Sequence, residues 1–265
     1  MNKILKIILW NVFIAILALG FFRYVHYVLN IITPDSFDFD FEAAAMINFV
    51  LLVSFLSLAL AVFKAKRWTL VTAGVVGLVF VFLFGVTYVN LIGIGITALL
   101  FLNARRDGVE EIDQRIKINS RMIVRRCVAS VVLAFFVLIS FAAFQSPVAK
   151  DIAKAEKLPS ASQQFIRSIV VSVIGGQIEA SGREKENIIN QVTGQTFQQI
   201  NGILKPYFQY APPLLAFGLF LVLWGVSWIF VQLSVLAGVG IFWILKKTNL
   251  IKIEKRQVEA EVLVI

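Results

Sequence analysis

Arg23 and His26 are the first residues along the chain whose side chains could do chemistry together. They lie three positions apart near the carboxyl end of an apolar run, so a helix places both on one face, and Tyr24 and Tyr27 flank them. A guanidinium beside an imidazole can hold a lipid phosphate. The same group is also typical of a plain anchor at the membrane interface. We predict an interfacial group here, with contact to a lipid headgroup as the more specific interpretation.

Motifs of enzyme chemistry are otherwise missing from the sequence. His26 is the one histidine and Cys127 the one cysteine, so neither an HExxH zinc site nor a site of several cysteines can form. The chain has no GxSxG elbow and no P-loop. Its long apolar runs contain no Asp or Glu, whereas proton-coupled transporters usually carry ionisable groups within their spans. We expect a non-enzymatic protein that binds no metal and no cofactor.

The composition is that of a membrane protein. Hydrophobic residues make up 59% of the 265 and charged residues only 15%, with a mean hydropathy of +0.84. In soluble domains about a quarter of the residues are charged. Several uncharged runs reach the roughly 20 residues that a helix needs to cross a bilayer. We predict an all-α, polytopic helical membrane protein with about seven transmembrane segments and a small extracytoplasmic helical insert.

The positive charge of the chain follows its topology. The formal net charge is +9, but Lys and Arg cluster just outside the apolar runs, so we expect no nucleic-acid partner. Lys3 and Lys6 precede the first run, which predicts a multi-pass protein of the cell membrane with a cytoplasmic N-terminus. That run is too long for a typical signal-peptide core and lacks a clear cleavage site, so we expect it to be retained.

The uncharged run of residues 69–103 is too long for one crossing. As a single helix its 35 residues would span about 52 Å, against a hydrocarbon core of about 30 Å. We therefore predict a helical hairpin whose turn lies within 85–92, where Gly85, Thr87 and Asn90 can satisfy freed backbone groups. Residues 1–103 then form a four-helix membrane region.

The middle of the chain alternates between basic, apolar and polar segments. Residues 104–126 carry seven Lys and Arg against four acids, which predicts a basic cytoplasmic amphipathic linker. Residues 127–144 form a transmembrane helix, and residues 145–210 an extracytoplasmic helical module. Ser146 before Pro147 is typical of a helix start.

Two apolar stripes predict that two helices of this module pack as a hairpin. The first stripe consists of Phe165, Ile166, Ile169, Val170, Val173 and Ile174, and the second of Ile189, Val192, Ile200, Ile203 and Tyr207.

The second helix of the module has a face rich in amides. Gln191, Gln195, Gln198 and Gln199 fall on it at helical spacing. A solvated surface is one interpretation. The other is a polar face that binds a protein partner, and we take these four residues as candidates for it.

The last apolar run, residues 211–245, also has 35 residues, and we predict a C-terminal membrane hairpin with its midpoint near Gln232. Two crossings would leave the cations that follow outside the cell, which the charge rule disfavours. One long tilted helix or a re-entrant arm would restore agreement. Residues 246–265 form a basic tail, in which Val258–Val264 alternates like a strand.

Three functions remain open from the sequence. The first is a non-enzymatic integral membrane protein whose extracytoplasmic module docks a partner or mediates assembly. The second is a transporter or channel for an uncharged or lipid-like substrate, which would require Asn48, Ser54, Asn90 and Gln232 to converge on one cavity. The third is a lipid-modifying or lipid-binding protein that uses Arg23 and His26. The expected partners are the lipid bilayer and a protein partner or a second copy.

Overall fold

The structure, a computed structural model, describes residues 3–31, 42–63, 65–114, 119–154, 160–174, 182–248 and 250. Within these residues the regular structure is entirely helical. The helices are α1 (Lys3–Ile31), α2 (Ala43–Val62), α3 (Lys66–Phe84), α4 (Tyr88–Asp113), α5 (Ser120–Phe144), α6 (Pro147–Lys154), α7 (Ser160–Ile174), α8 (Arg183–Leu204), a 3₁₀ helix (Lys205–Tyr210), α9 (Ala211–Gly225) and α10 (Ser227–Lys247). The strand predicted at Val258–Val264 lies outside the described residues.

Among the residues that the structure describes, seven helical segments are long and apolar enough to cross a membrane. They are α1 to α5, the stretch Lys205–Gly225, and α10. The predicted fold class, an all-α polytopic membrane protein with about seven candidate spans, is confirmed. The chain divides into two compact units. The first consists of Met1–His26, Phe41–Ala142 and Phe220–Ile265, and the second of Tyr27–Asp40 and Ala143–Leu219.

The predicted turn between α3 and α4 is confirmed and is closed by Asn90. Gly85 adopts φ +82°, which a side chain would strain, and so ends α3. Thr87 caps α4, because its Oγ1 accepts from the Asn90 N–H at 3.2 Å. The Asn90 Nδ2 then donates to the carbonyls of Phe84 and Gly85 at 3.2 and 2.8 Å. The buried amide therefore satisfies carbonyl groups that the end of α3 leaves without helical partners.

In the first unit α1 and α2 are antiparallel. Near one end the Trp10 Nε1 donates to the carbonyl of Phe55 at 3.2 Å, and near the other the Tyr24 hydroxyl accepts from the Glu42 N–H at 3.4 Å. We name these two ends of the unit the Lys6 end and the Glu42 end. Because α2 is antiparallel to α1, α2 ends at the Lys6 end, where the Trp10 ring lies 5.6 Å from that of Phe63.

The helices α4 and α5 meet at the Lys6 end. Gly108 of α4 packs against Ala61, which is close to the end of α2. The Cys127 Sγ of α5 donates to the carbonyl of Ala104 at 3.2 Å. The carboxyl part of α4 and the first turns of α5 therefore lie at the Lys6 end, and α5 runs from there towards the Glu42 end.

The direction of α10 determines at which end of the first unit its terminal lysines lie. Its Phe230 ring lies 5.3 Å from that of Phe49, in the half of α2 nearer Glu42. Beyond its other end the carbonyl of Leu250 accepts from the Lys6 Nζ at 3.1 Å. Helix α10 is therefore parallel to α2, and the two lysines that end it lie at the Lys6 end. The predicted hairpin of 211–245 would place these cations at the opposite end, whereas one long helix or a re-entrant arm would place them here. Whether the run crosses the membrane once or twice stays a prediction.

The interruption in the last apolar run comes at Val226. Gln232, where the midpoint of the run was expected to turn, lies inside α10. Val226 has φ −93° and ψ 0°, close to helical values, and its N–H still bonds to the carbonyl of Val222 at 3.2 Å. Val226 therefore lacks the left-handed and extended backbone that Gly85 and Thr87 have in the α3–α4 turn.

The basic linker predicted at 104–126 is not a separate helix. Residues up to Asp113 continue α4, and Ser120 begins α5, so the boundaries at 103 and 127 fall within helices. The physical reason is that the charges of this segment pair. The Arg106 Nε lies 2.7 Å from the Glu110 carboxylate one turn later, which extends α4 beyond its apolar part.

Aromatic rings form the core of the first unit, with α5 at its centre. The Phe135 ring packs against Phe21, Phe22, Phe49 and Phe101, at centroid distances of 5.8, 5.7, 5.7 and 6.3 Å. Such pairs contribute about 1 kcal/mol each beyond the burial of their surface. They bring side chains of α1, α2 and α4 together around α5.

The second unit is built on the pair α7 and α8. Its core consists of Ile166, Val170 and Ile189, with Val192, Phe197 and Ile200 packed against it. The predicted start of α6 is confirmed, since the Ser146 Oγ accepts from the Ala149 N–H at 3.2 Å and Pro147 is the first helical residue.

Candidate functional surfaces

Arg23 and His26 both lie on the exposed surface of α1, in its half towards the Glu42 end. The His26 ring packs edge-on against Phe84, with the centroids 5.5 Å apart. The two side chains therefore share a face, as their spacing predicts. Contact with a lipid headgroup stays a prediction.

The polar residues that a transport pathway would need do not converge. The Ser54 Oγ donates to the carbonyl of Ser234, and Asn90 closes the α3–α4 turn. Asn48 contacts α1 through both ends of its amide. In the amide orientation that satisfies both groups, its nitrogen donates to the Leu17 carbonyl at 3.3 Å and its oxygen accepts from the Phe21 N–H at 3.2 Å. Gln232 lies exposed on α10. Ser54, Asn48 and Asn90 serve helix contacts and a turn, which is how polar groups commonly stabilise helices within membranes.

Three cavities of the first unit have mostly apolar walls. One of about 260 Å³ lies at the Lys6 end, between α1, α2 and the end of α10. A second cavity of about 170 Å³ lies at the Glu42 end. A third cavity of about 250 Å³ lies between α5 and the residues on either side of Val226. Neither Arg23 nor His26 lines any of the three. Among the residues described, no three His, Cys, Asp or Glu side chains are grouped to hold a metal ion.

A buried carboxylate at the Lys6 end is a feature that the sequence interpretation missed. Glu111 is only 2% exposed, and its Oε2 lies 3.0 Å from the Nε of Arg126. The sequence interpretation grouped both residues with a basic cytoplasmic amphipathic linker. An acid at helical spacing from the apolar residues of α4 was the available signal, and this pair ties α4 to α5.

The amide face of α8 is exposed as its spacing predicts. Gln191, Gln195, Gln198 and Gln199 all lie on the outside of the α7–α8 pair. Their side chains offer donors and acceptors without net charge. Binding of a protein partner by this face stays a prediction.

The apolar residues of α7 divide into a covered and an uncovered set. Ile166 and Val170 are buried against α8. Phe165, Ile169 and Val173, at i, i+4 and i+8, are 67, 45 and 62% exposed, and we name these three the α7 stripe. The sequence interpretation treated both sets as one apolar stripe.

Phe197 of α8 joins the covered set and was also missed, although it stands eight residues after Ile189 and so on the same side of the helix. Helical periodicity identifies a broad apolar face, but the position of α8 decides which half of it is covered.

These features define an integral membrane protein of the multi-pass, all-helical class, with an organised helical pair in its second unit. No protein-family model matches the chain. Comparisons with curated proteins and with solved structures find no match either.

Proposed function

We propose that this chain is a non-enzymatic membrane protein whose α7–α8 pair docks another protein or a second copy of the chain. The observation that carries the proposal is the α7 stripe. Three large apolar side chains stand exposed on one side of a helix whose other side already packs into a core. Exposed apolar groups at helical spacing within a largely polar segment are typical of a surface that another helix or a groove covers.

The amide face of α8 gives the same pair a second contact surface. Gln191 and Gln195 stand one turn apart, with Gln198 and Gln199 in the next turn. Neutral amides can hydrogen-bond to a partner without the desolvation cost of burying charges. An apolar anchor with polar surroundings is the usual anatomy of a protein interface.

The proposal includes an orientation in the cell membrane. The Lys6 end carries Lys6 and the two lysines that end α10, so the positive-inside bias supports a cytoplasmic Lys6 end. Counting crossings from that end supports an extracytoplasmic α7–α8 pair.

The structure offers less support for the other two functions. A transporter would need a shared polar lining, and the four polar candidates have separate environments. Catalysis or lipid modification by Arg23 and His26 would need a pocket around them, and both side chains are on an exposed helix surface.

A photoreactive amino acid placed at Ile169 tests the docking proposal in native membranes. Arg167 is the matched control, because it is exposed on the same helix but lies outside the α7 stripe. We expect a discrete protein adduct from position 169 and none from position 167. An adduct of twice the chain mass identifies a second copy, and any other mass identifies a different partner.

A charged substitution in the α7 stripe tests the same docking surface. Ile169→Asp should abolish the adduct formed from a probe at Phe165, since it places a charge in the covered surface, while membrane insertion stays normal. Equal adducts from positions 167 and 169, or crosslinks to lipid alone, would contradict docking by this surface.

A further inference from the structure

The cavity of about 260 Å³ at the Lys6 end is a groove that is open to the outside of the helix bundle. Its walls are apolar, and its main residues are Leu9, Trp10, Phe13, Phe55, Phe63 and Leu245. Leu9 and Phe13 are 51 and 41% exposed, so one wall faces the surroundings of the bundle. In a multi-pass protein those surroundings are lipid, and lipid chains therefore have direct access to the groove.

One cation lines this apolar groove. The Lys6 Nζ donates to the carbonyl of Leu250 at 3.1 Å, which holds the ammonium group at the groove. An ammonium group has three N–H donors, so two remain for another acceptor. The lysines at 246 and 247 follow Leu245 directly and add positive charge at the same end.

Aromatic residues place this end of the unit at the depth of lipid headgroups. Trp243 stands near the end of α10, with the Lys247 Nζ 5.2 Å from its ring centroid. Trp68 stands at the start of α3, with the Arg67 guanidinium 5.3 Å from its ring centroid. Tryptophan beside Lys or Arg is characteristic of the membrane interface. The apolar wall below Lys6 therefore lies at the level where acyl chains begin.

We propose that this groove holds an acyl chain of an anionic phospholipid, with the lipid phosphate on Lys6. A hydrocarbon chain suits apolar walls that lipid reaches directly, and the Lys6 ammonium that lines the same groove attracts a headgroup of negative charge. The site differs from the one predicted at Arg23 and His26, which lie towards the Glu42 end, and it does not depend on docking by the α7–α8 pair.

Native mass spectrometry of the purified full chain tests the site. Phosphatidylglycerol and phosphatidylcholine with identical acyl chains are supplied in equal amounts, and the retained lipid adducts are compared. The attraction between one cation near the membrane surface and an anionic lipid corresponds to a binding preference of about five-fold. We expect Lys6→Gln to remove this preference. Lys66→Gln, the matched control, should keep it, since Lys66 is exposed and does not line the groove.

A second variant tests the acyl-chain part of the proposal. Leu9→Trp enlarges an exposed wall residue without disturbing the buried core, and it should lower the adducts of both lipids. The melting temperature of each variant in detergent shows that the protein remains folded.

Equal loss of preference in Lys6→Gln and Lys66→Gln would overturn the proposal, because charge attraction would then be diffuse. Unchanged adducts in Leu9→Trp would overturn it as well.

Discussion

The hydroxyl of Ser54 in α2 and the carbonyl of Ser234 in α10 are joined by a hydrogen bond of 2.9 Å, across 180 positions of sequence. Both residues are fully buried, and the same hydroxyl also lies 2.6 Å from the carbonyl of Val50. The contact fixes the position of α10 along α2. Because Phe230 contacts Phe49 towards one end and Leu250 bonds to Lys6 at the other, α10 runs parallel to α2 and ends at the Lys6 end.

Reporter fusions should place the C-terminus on the same side of the membrane as the loop after α4. We expect fusions after Asn103 and after Ile265 to report the same compartment, because α4 and α10 both end at the Lys6 end. A fusion inserted at Val86, in the α3–α4 turn, is the control and should report the opposite compartment. Opposite signals from the Asn103 and Ile265 fusions would contradict the parallel arrangement of α2 and α10.

Replacing Asn90 should weaken the α3–α4 turn. Asn90→Leu keeps the approximate size but leaves the carbonyls of Phe84 and Gly85 without their amide donor, which costs about 1–3 kcal/mol of unfolding free energy. The measurement is thermal unfolding of the purified protein in detergent. Gln232→Leu is the control and should be neutral, because Gln232 is exposed on α10. Equal effects of the two changes would show that Asn90 has no special role in the turn.

The α5–α10 contact depends on a glycine. A Cβ at Gly238 would lie 2.7 Å from a methyl group of Val124, and Val124 is itself buried and branched at Cβ. Gly238→Ala should therefore lower the unfolding free energy by about 1–3 kcal/mol through overpacking. Gly240→Ala, two residues later, meets open space and should not destabilise the protein. A melting temperature that is unchanged in both variants would rule out close packing at this point.

Loss of Arg126 should destabilise the contact between α4 and α5. Arg126→Gln leaves the buried Glu111 carboxylate without its guanidinium partner, so we expect a loss of about 2 kcal/mol. Arg125→Gln removes a neighbouring exposed cation and serves as the control. The two variants have the same net charge, so thermal unfolding separates pairing from general charge effects. A larger effect of Arg125→Gln would refute the assignment.

A hydroxyl in the α7–α8 pair should be dispensable. Thr193 is buried, and its Oγ1 has no hydrogen-bond partner among the residues that the structure describes. Thr193→Val keeps the shape and removes the unsatisfied group, so we expect a gain of about 1 kcal/mol. Thr193→Ser keeps the hydroxyl and loses a methyl group, which should destabilise the pair. Hydrogen exchange of the α8 amides in the full chain measures both effects, and greater protection in the serine variant would reverse the interpretation.

Much of the membrane architecture could be predicted from run length and flanking charge. The turn predicted within the run of 69–103 was correct, because two crossings were needed to fit the bilayer. Gly85 supplies the positive φ, and the Asn90 amide bonds to the carbonyl at the turn. The run of 211–245 has the same length, yet its interruption lies at Val226 and not near Gln232. The backbone of Val226 is close to helical, and hydropathy does not reveal where such an interruption falls.

The candidate surfaces were predictable only in part. The spacing of Gln191 and Gln195 identified an exposed face correctly, since polar residues at helical spacing share one side. Spacing did not reveal that Phe165 and Ile169 remain uncovered, because that depends on where α8 lies. Nor did it reveal the groove at Lys6, whose walls come from three helices far apart in sequence.

The sequence by itself determined that the chain is helical, that seven segments are apolar enough to cross a membrane, and that Asn90 lies at a turn. These properties follow from local chemistry, namely hydropathy over about 20 residues and the needs of backbone groups in lipid. Only the tertiary structure decided the direction of α10, the pairing of Glu111 with Arg126 and the exposure of the α7 stripe. Each of these depends on a contact between distant segments, and side-chain packing selects such contacts by shape, which hydropathy does not record.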